Sequence, residues 1–181
     1  RMWEPQIAEF SNRYRVLAYD TRGHGASDAP AGAYTLEQLA DDLNALLAHL
    51  GIREAHYAGL SMGGMVGQTY ALKYPGVFKT LTLADTTSSY PADAAPLWND
   101  RIKLAREQGM APLVEPTLAR WFTEPFRKSH PEVIASIGAL IRSTPVTGYT
   151  GCSEAIPKIR LRARLKEIRS PILVIVGDQD G

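Results

Sequence analysis

The stretch Gly59-Leu60-Ser61-Met62-Gly63 lies where one hydrophobic pattern gives way to another. Before it, His56-Tyr57-Ala58 reads as the end of a short buried strand. After it, Met65, Val66, Thr69, Tyr70 and Leu72 recur at helix-like spacing until Pro75-Gly76 stops the pattern. The segment predicts a strand, a tight turn with Ser61 at its apex, and a helix over 62–74.

A serine between two glycines suits that turn for steric reasons. The backbone at the apex is strained, so the residues two before and two after it must be small. Gly59 and Gly63 satisfy this, and Gly64 gives further room. The turn would hold the Ser61 oxygen above the carboxyl edge of a parallel sheet, where open α/β sheets bind ligands. The helix N-terminus behind it favours developing negative charge. The Met62 N–H is placed to donate to an oxyanion. The pattern is that of a nucleophile elbow.

The rest of the chain bounds what this turn can belong to. Its 181 residues suffice for one domain with a real core. A net charge of +1 gives no reason to expect nucleic acid or an anionic membrane as partner. The one cysteine, Cys152, can form no intrachain disulfide, which fits a reducing, cytoplasmic setting. No apolar run approaches the roughly 18 residues of a membrane span.

In chain order, Trp3, Ile7 and Phe10 form one face of a helix, so the chain is expected to open inside an element. Tyr14 to Tyr19 reads as a buried strand around Val16-Leu17-Ala18. The turn from Asp20 to Asp28 contains His24, a candidate base whose favoured reading is a loop histidine bonded to its neighbours. Thr35 to Leu50 predicts a helix with a Thr35/Gln38 capping box, an apolar stripe and Gly51 just past its end. Ala55 to Ala58 and Val77 to Ala84 read as parallel strands joined by helices. Asp85 follows the second strand and is one candidate acid.

From Ser88 to Ser170 the alternation stops. Helices over 96–108, 113–122 and 131–141 read as a lid inserted between two strands of the sheet. Trp121, Phe122 and Tyr149, with Trp98 and Phe126, are candidates to line a substrate pocket, although most of these rings are expected to pack the lid onto the body. The basic run from Lys158 to Arg169 reads as a solvated face in preference to an anion-attracting patch. Pro171 to Val176 reads as a fully buried strand, followed by Gly177-Asp178-Gln179-Asp180-Gly181. The expected units are thus 1–87, a partial α/β core; 88–170, the lid; and 171–181, a core strand with an acid loop.

Four stretches together resemble an α/β-hydrolase of the 3-oxoadipate enol-lactonase type. They are Met2-Trp3-Glu4-Pro5-Gln6, Tyr19-Asp20-Thr21-Arg22-Gly23-His24-Gly25-Ala26-Ser27, the elbow extended to Gln68, and Gly148-Tyr149-Thr150-Gly151-Cys152. The resemblance implies a mostly parallel sheet with flanking helices and an inserted helical lid. It implies a serine hydrolase that opens a lactone or small carboxylic ester, 3-oxoadipate enol-lactone in particular, through an acyl-enzyme, with no cofactor or metal. It implies Ser61 as nucleophile, Met62 as an oxyanion donor, and Asp180 as triad acid ahead of Asp85 and Asp178. The family order is Ser, acid, His. No histidine follows Asp180, and His24, His49, His56 and His130 do not match the family position. The N- and C-terminal parts of the fold are therefore expected to be missing, with the remainder of the hydrolase chain as a required partner. A carboxylesterase or C–C bond hydrolase of the same fold would show much the same residues. A non-catalytic module that only holds a small molecule is the alternative from another class.

Overall fold

A computed structural model describes residues 2–180. Arg1 and Gly181, the outer ends of the first and last expected units, lie outside the described residues. The elements that hold the elbow are helix α2 (Leu36–His49), strand β1 (Ala55–Leu60), helix α3 (Met62–Lys73) and strand β2 (Phe78–Ala84). A short helix α1 (Glu4–Phe10) precedes them. Helices α4 (Ala95–Gln108), α5 (Val114–Trp121), α6 (Glu124–Ser129), α7 (Pro131–Ser143) and α8 (Val146–Ala155) lie between β2 and strand β3 (Ile172–Ile175). The three strands pair in parallel in the order β1-β2-β3, with Leu60 opposite Ala84 and Ala84 opposite Ile175. Their carboxyl ends are therefore level, and the turns that leave them share one edge.

Helix α2 forms as its sequence requires. The Thr35 hydroxyl accepts from the Gln38 N–H at 3.1 Å, and the Thr35 N–H donates to Gln38 Oε1 at 3.0 Å. Leu36, Leu39, Ala40, Leu43 and Leu47 are buried, and Gly51 takes the left-handed conformation past the end at φ 66°. The apolar stripe packs on α3, where Tyr70 donates to Asn44 at 3.1 Å and Tyr74 donates to Asp41 at 2.6 Å. Beneath them the rings of Tyr57, Phe78 and Tyr70 stack with centroids 4.7 and 4.4 Å apart. These rings join Leu81, Leu83, Met65 and Val66 in the main core.

Three expectations are corrected. Tyr14 to Tyr19 is not a strand: it joins no ladder, and Val16 and Leu17 are 37% and 41% exposed. Apolar residues supply propensity, but a strand needs a hydrogen-bonding neighbour, and the ladder partner of β1 is β2. Strand β3 forms at the expected place but is not buried; exposure runs from 41% at Ile172 to 69% at Val174. Composition argued for cover on both faces, whereas burial depends on the layers packed above and below. The strand expected to end buried at His56-Tyr57-Ala58 runs on to Leu60 with His56 and Ala58 exposed, for the same reason. The Gly148 to Cys152 stretch forms the core of α8, and α6 was not foreseen.

Helix α8 does not stand apart from the sheet domain. Gly148, Thr150, Gly151, Cys152 and Ser153 are buried, and Cys152, Ala155, Ile156 and Ile159 belong to the same core cluster as Leu39 and Leu81. Its Gly148 packs on Gly23 of the 20–28 turn, and beyond that turn the Tyr34 N–H donates to the Gly151 carbonyl at 3.0 Å. That turn is tied to α2 by Arg22, whose Nε and second nitrogen reach the two Asp42 oxygens at 2.7 and 2.6 Å. The basic residues of 158–169 are all exposed, while Ile159 between them is buried, as a solvated face requires. Among the described residues, no helix is long and apolar enough to cross a membrane.

Candidate active site

Ser61 sits between β1 and α3 with φ 51° and ψ −116°, a backbone conformation that non-glycine residues rarely adopt. Its side chain is exposed at the carboxyl edge of the sheet. The turn is held from both sides: the Ser61 N–H donates to the Ala84 carbonyl at 2.9 Å, and the Met65 N–H donates to the Ser61 carbonyl at 3.2 Å. Met62 opens α3, so its N–H has no acceptor within its own helix and stands at the positive end of the helix dipole.

The steric argument for the glycines holds at two positions and fails at one. A Cβ on Gly59 would lie 2.5 Å from the Gly63 carbonyl, and a Cβ on Gly64 would lie 2.6 Å from the Thr86 side chain. A Cβ on Gly63 would meet nothing closer than the Tyr57 hydroxyl at 4.0 Å. Close approach at the elbow is thus between Gly59 and the helix backbone. The Gly63 carbonyl accepts from Tyr57 Oη at 2.8 Å, and burial pushes the ionisation of that phenol upward.

The candidate acids have distinct surroundings. Asp180 ends the turn after β3, with its N–H donating to the Gly177 carbonyl at 3.1 Å. Its charge acts on Tyr90, whose hydroxyl is pushed up by burial first and by Asp180, against the pull of Arg120 and Arg101. Asp85 has φ 42°, and its Oδ1 accepts from the Gly177 N–H at 2.8 Å. Asp178 lies in the same turn as Asp180.

The four histidines are placed elsewhere. His24 Nδ1 lies 3.3 Å from the Arg22 carbonyl, in agreement with a loop histidine bonded to its neighbours. His56 bonds Thr80 across the strands at 2.8 Å, and His130 bonds Ser129 at 2.8 Å. His49 closes α2.

The lid rings are dispersed. Trp121 is 56% exposed. Phe122 stacks on Phe126, which stacks on His130, at 5.4 and 4.4 Å. Tyr149 packs against Ala105, Met110 and Leu113. Trp98 is buried in the main core. Among the described residues no ring contact joins Trp121, Phe122 and Tyr149. A surface cavity of about 630 Å³ lies between α4 and the end of α8, lined by Ile102, Arg106, Glu154, Pro157 and Arg160, and Ser61 is not part of its wall. Tyr57 and Thr86, which support the elbow from below and from the side, were not singled out by the sequence. Tyr57 was legible only as a strand residue, and nothing in the sequence marks Thr86.

The comparisons agree with this geometry. Residues 1–181 match the alpha/beta hydrolase fold family. The chain is 41% identical to 3-oxoadipate enol-lactonase 2 of Acinetobacter baylyi, over 99% of this chain and 66% of that protein. The crystal structure of the enol-lactonase from Burkholderia xenovorans LB400 superposes with a TM-score of 0.94 at 40% identity, over 98% of this chain and 67% of that one. A malate-bound thermophilic esterase from Thermogutta terrifontis superposes with a TM-score of 0.92 at 32% identity, over 97% and 66%. The chain spans about two thirds of the length of these relatives. With its elbow, its parallel sheet and its helical insertion between β2 and β3, the chain belongs to the alpha/beta hydrolase fold family.

Proposed function

We propose that these residues form the nucleophile-bearing part of a serine hydrolase that opens a lactone or small carboxylic ester, with 3-oxoadipate enol-lactone as the substrate. The observation that carries the reading is the backbone of Ser61, strained at φ 51° in front of the first N–H groups of α3. Ser61 Oγ adds to the carbonyl carbon while its proton passes to a histidine. The Met62 N–H and a second backbone N–H hold the oxyanion. The ring C–O bond breaks, the leaving oxygen takes the proton back, and water then cleaves the acyl-enzyme. Asp180 orients the histidine. In this reading the histidine and the second oxyanion donor come from the further third of chain that the relatives possess, and the helical insertion, residues 88–170, acts as the lid with Trp121, Phe122 and Tyr149 on the substrate side. The setting is cytoplasmic, supported by the single buried thiol of Cys152.

Two relatives named as enol-lactonases support the lactone, and the esterase neighbour keeps a simple ester as the second reading. The test compares kcat/KM for enol-lactone and p-nitrophenyl acetate in the full-length enzyme and its Ser61→Ala variant. A preference of roughly a hundredfold or more for the lactone, abolished in the variant, is expected. Turnover that survives Ser61→Ala rejects the nucleophile, and a preference for the simple ester selects the esterase.

A further inference from the structure

The chain leaves β2 through Ala84-Asp85-Thr86, and these three residues grip both the turn that carries Ser61 and the turn that carries Asp180. On one side, the Ser61 N–H donates to the Ala84 carbonyl at 2.9 Å, and the Thr86 hydroxyl donates to the Ser61 carbonyl at 2.6 Å. On the other side, the Asp85 N–H donates to the Ile175 carbonyl at 2.9 Å, and Asp85 Oδ1 accepts from the Gly177 N–H at 2.8 Å. Gly177 in turn accepts from the Asp180 N–H through its carbonyl, so the Asp85 contact holds the base of the acid turn.

Two further features show that this strap is shaped for its place. Asp85 adopts φ 42°, which an aspartate tolerates better than most residues but which still favours glycine. The Thr86 side chain fills the space left by the missing Cβ of Gly64, where a methyl group would come within 2.6 Å of it. A bulkier residue at 64 would push Thr86, and with it the Ser61 carbonyl.

We infer that Asp85 and Thr86 are positioning residues that set the spacing between Ser61 and the Asp180 turn. The inference rests on the reading of Ser61 and Asp180 in the preceding section. It gives Asp85 a role different from that of a triad acid: what matters is an oxygen acceptor for the Gly177 N–H, not a negative charge. Asp85→Asn keeps that acceptor and Asp85→Ala removes it. Thr86→Ser keeps the hydroxyl donor and Thr86→Val removes it.

The experiment has two arms. In the full-length enzyme, Asp85→Ala and Thr86→Val should lower kcat by about 10- to 100-fold, with KM within about twofold, because misplacement of reacting groups by an ångström acts on the chemical step. Asp85→Asn and Thr86→Ser should stay within about threefold of wild type in kcat. In the same full-length enzyme, amide exchange at Gly177 should speed up about tenfold in Asp85→Ala and stay unchanged in Asp85→Asn, a readout that does not involve catalysis. Asp85→Asn as damaging as Asp85→Ala would overturn the inference, since charge would then be needed. Unchanged kcat and unchanged Gly177 exchange in Asp85→Ala would also overturn it. If Asp85→Ala does not fold, Thr86→Val and Asp85→Asn decide: loss of kcat in the first with retention in the second supports the strap, and any other pairing rejects it. Absence of Ser61-dependent turnover in the wild type would remove the proposed function, while Gly177 exchange would still decide whether the strap exists.

Discussion

Gly148 packs so tightly on Gly23 that a methyl group on Gly148 would lie 1.8 Å from the Gly23 carbonyl oxygen. The contact is backbone to backbone, between α8 and the turn that Arg22 ties to α2, so neither partner can rotate away. Gly148→Ala should therefore destabilise the chain by about 3 kcal/mol or more by urea unfolding. Gly138→Ala is the control, because its nearest neighbours are side-chain methyls of Val114 and Leu118 at 3.3 and 3.4 Å, which can shift. Equal effects of the two variants would reject the close-approach argument.

Ser61 occupies backbone space that suits glycine. Replacing it with glycine should release strain, and Ser61→Gly should unfold at higher urea than Ser61→Ala, by about 1 kcal/mol. Both variants should lose all labelling by a fluorophosphonate in the full-length enzyme. Equal stability of the two would mean that the elbow stores no strain.

Burial pushes the Cys152 thiol up to about 12, with Arg22 pulling slightly the other way. The unfolded thiol ionises near its ordinary value of about 8.5. Between those values the unfolded state binds fewer protons than the folded one, so stability falls as pH rises, by about 1.4 kcal/mol per unit. Below about pH 8 the effect vanishes. From pH 8 to 10, wild type should lose about 2 kcal/mol more than Cys152→Ala in urea unfolding. The native thiol should also ignore a disulfide reagent at pH 8. Parallel pH profiles for the two proteins would sink the idea.

The Tyr57 hydroxyl donates to the Gly63 carbonyl beneath the elbow at 2.8 Å. Tyr57→Phe removes the donor and keeps the ring stack with Phe78, so it should cost about 1 kcal/mol in stability. A thermal or urea midpoint that does not move would show that water replaces the bond.

His24, His56 and His130 each commit Nδ1 to a neighbour other than Ser61. Substituting any of them by alanine in the full-length enzyme should change kcat on its best ester by less than about threefold, since removal of a true general base typically costs 10²-fold or more. A collapse of kcat in His24→Ala would restore His24 as a base.

What the sequence by itself determined was local. The elbow, the capped helix α2, the start of β1 and the starts and stops of β2 and α4 follow, to within a residue, from residue spacing, glycine and capping chemistry within a few positions of chain. The solvated face of 158–169 was legible for the same reason. The tertiary structure decided whatever depends on a distant neighbour. Tyr14 to Tyr19 has strand composition but no ladder, and β3 has core composition but exposed faces. That a Cβ cannot fit at Gly148 against Gly23, or at Gly151 against Tyr34, follows only from the packing of α8 on the segment before α2. Asp85 read as a possible acid because it follows a strand, and its bond to Gly177 becomes visible only when β2 and β3 lie side by side. Backbone conformation and periodicity are written in neighbouring residues, whereas pairing, cover and close approach arise between segments far apart in the chain.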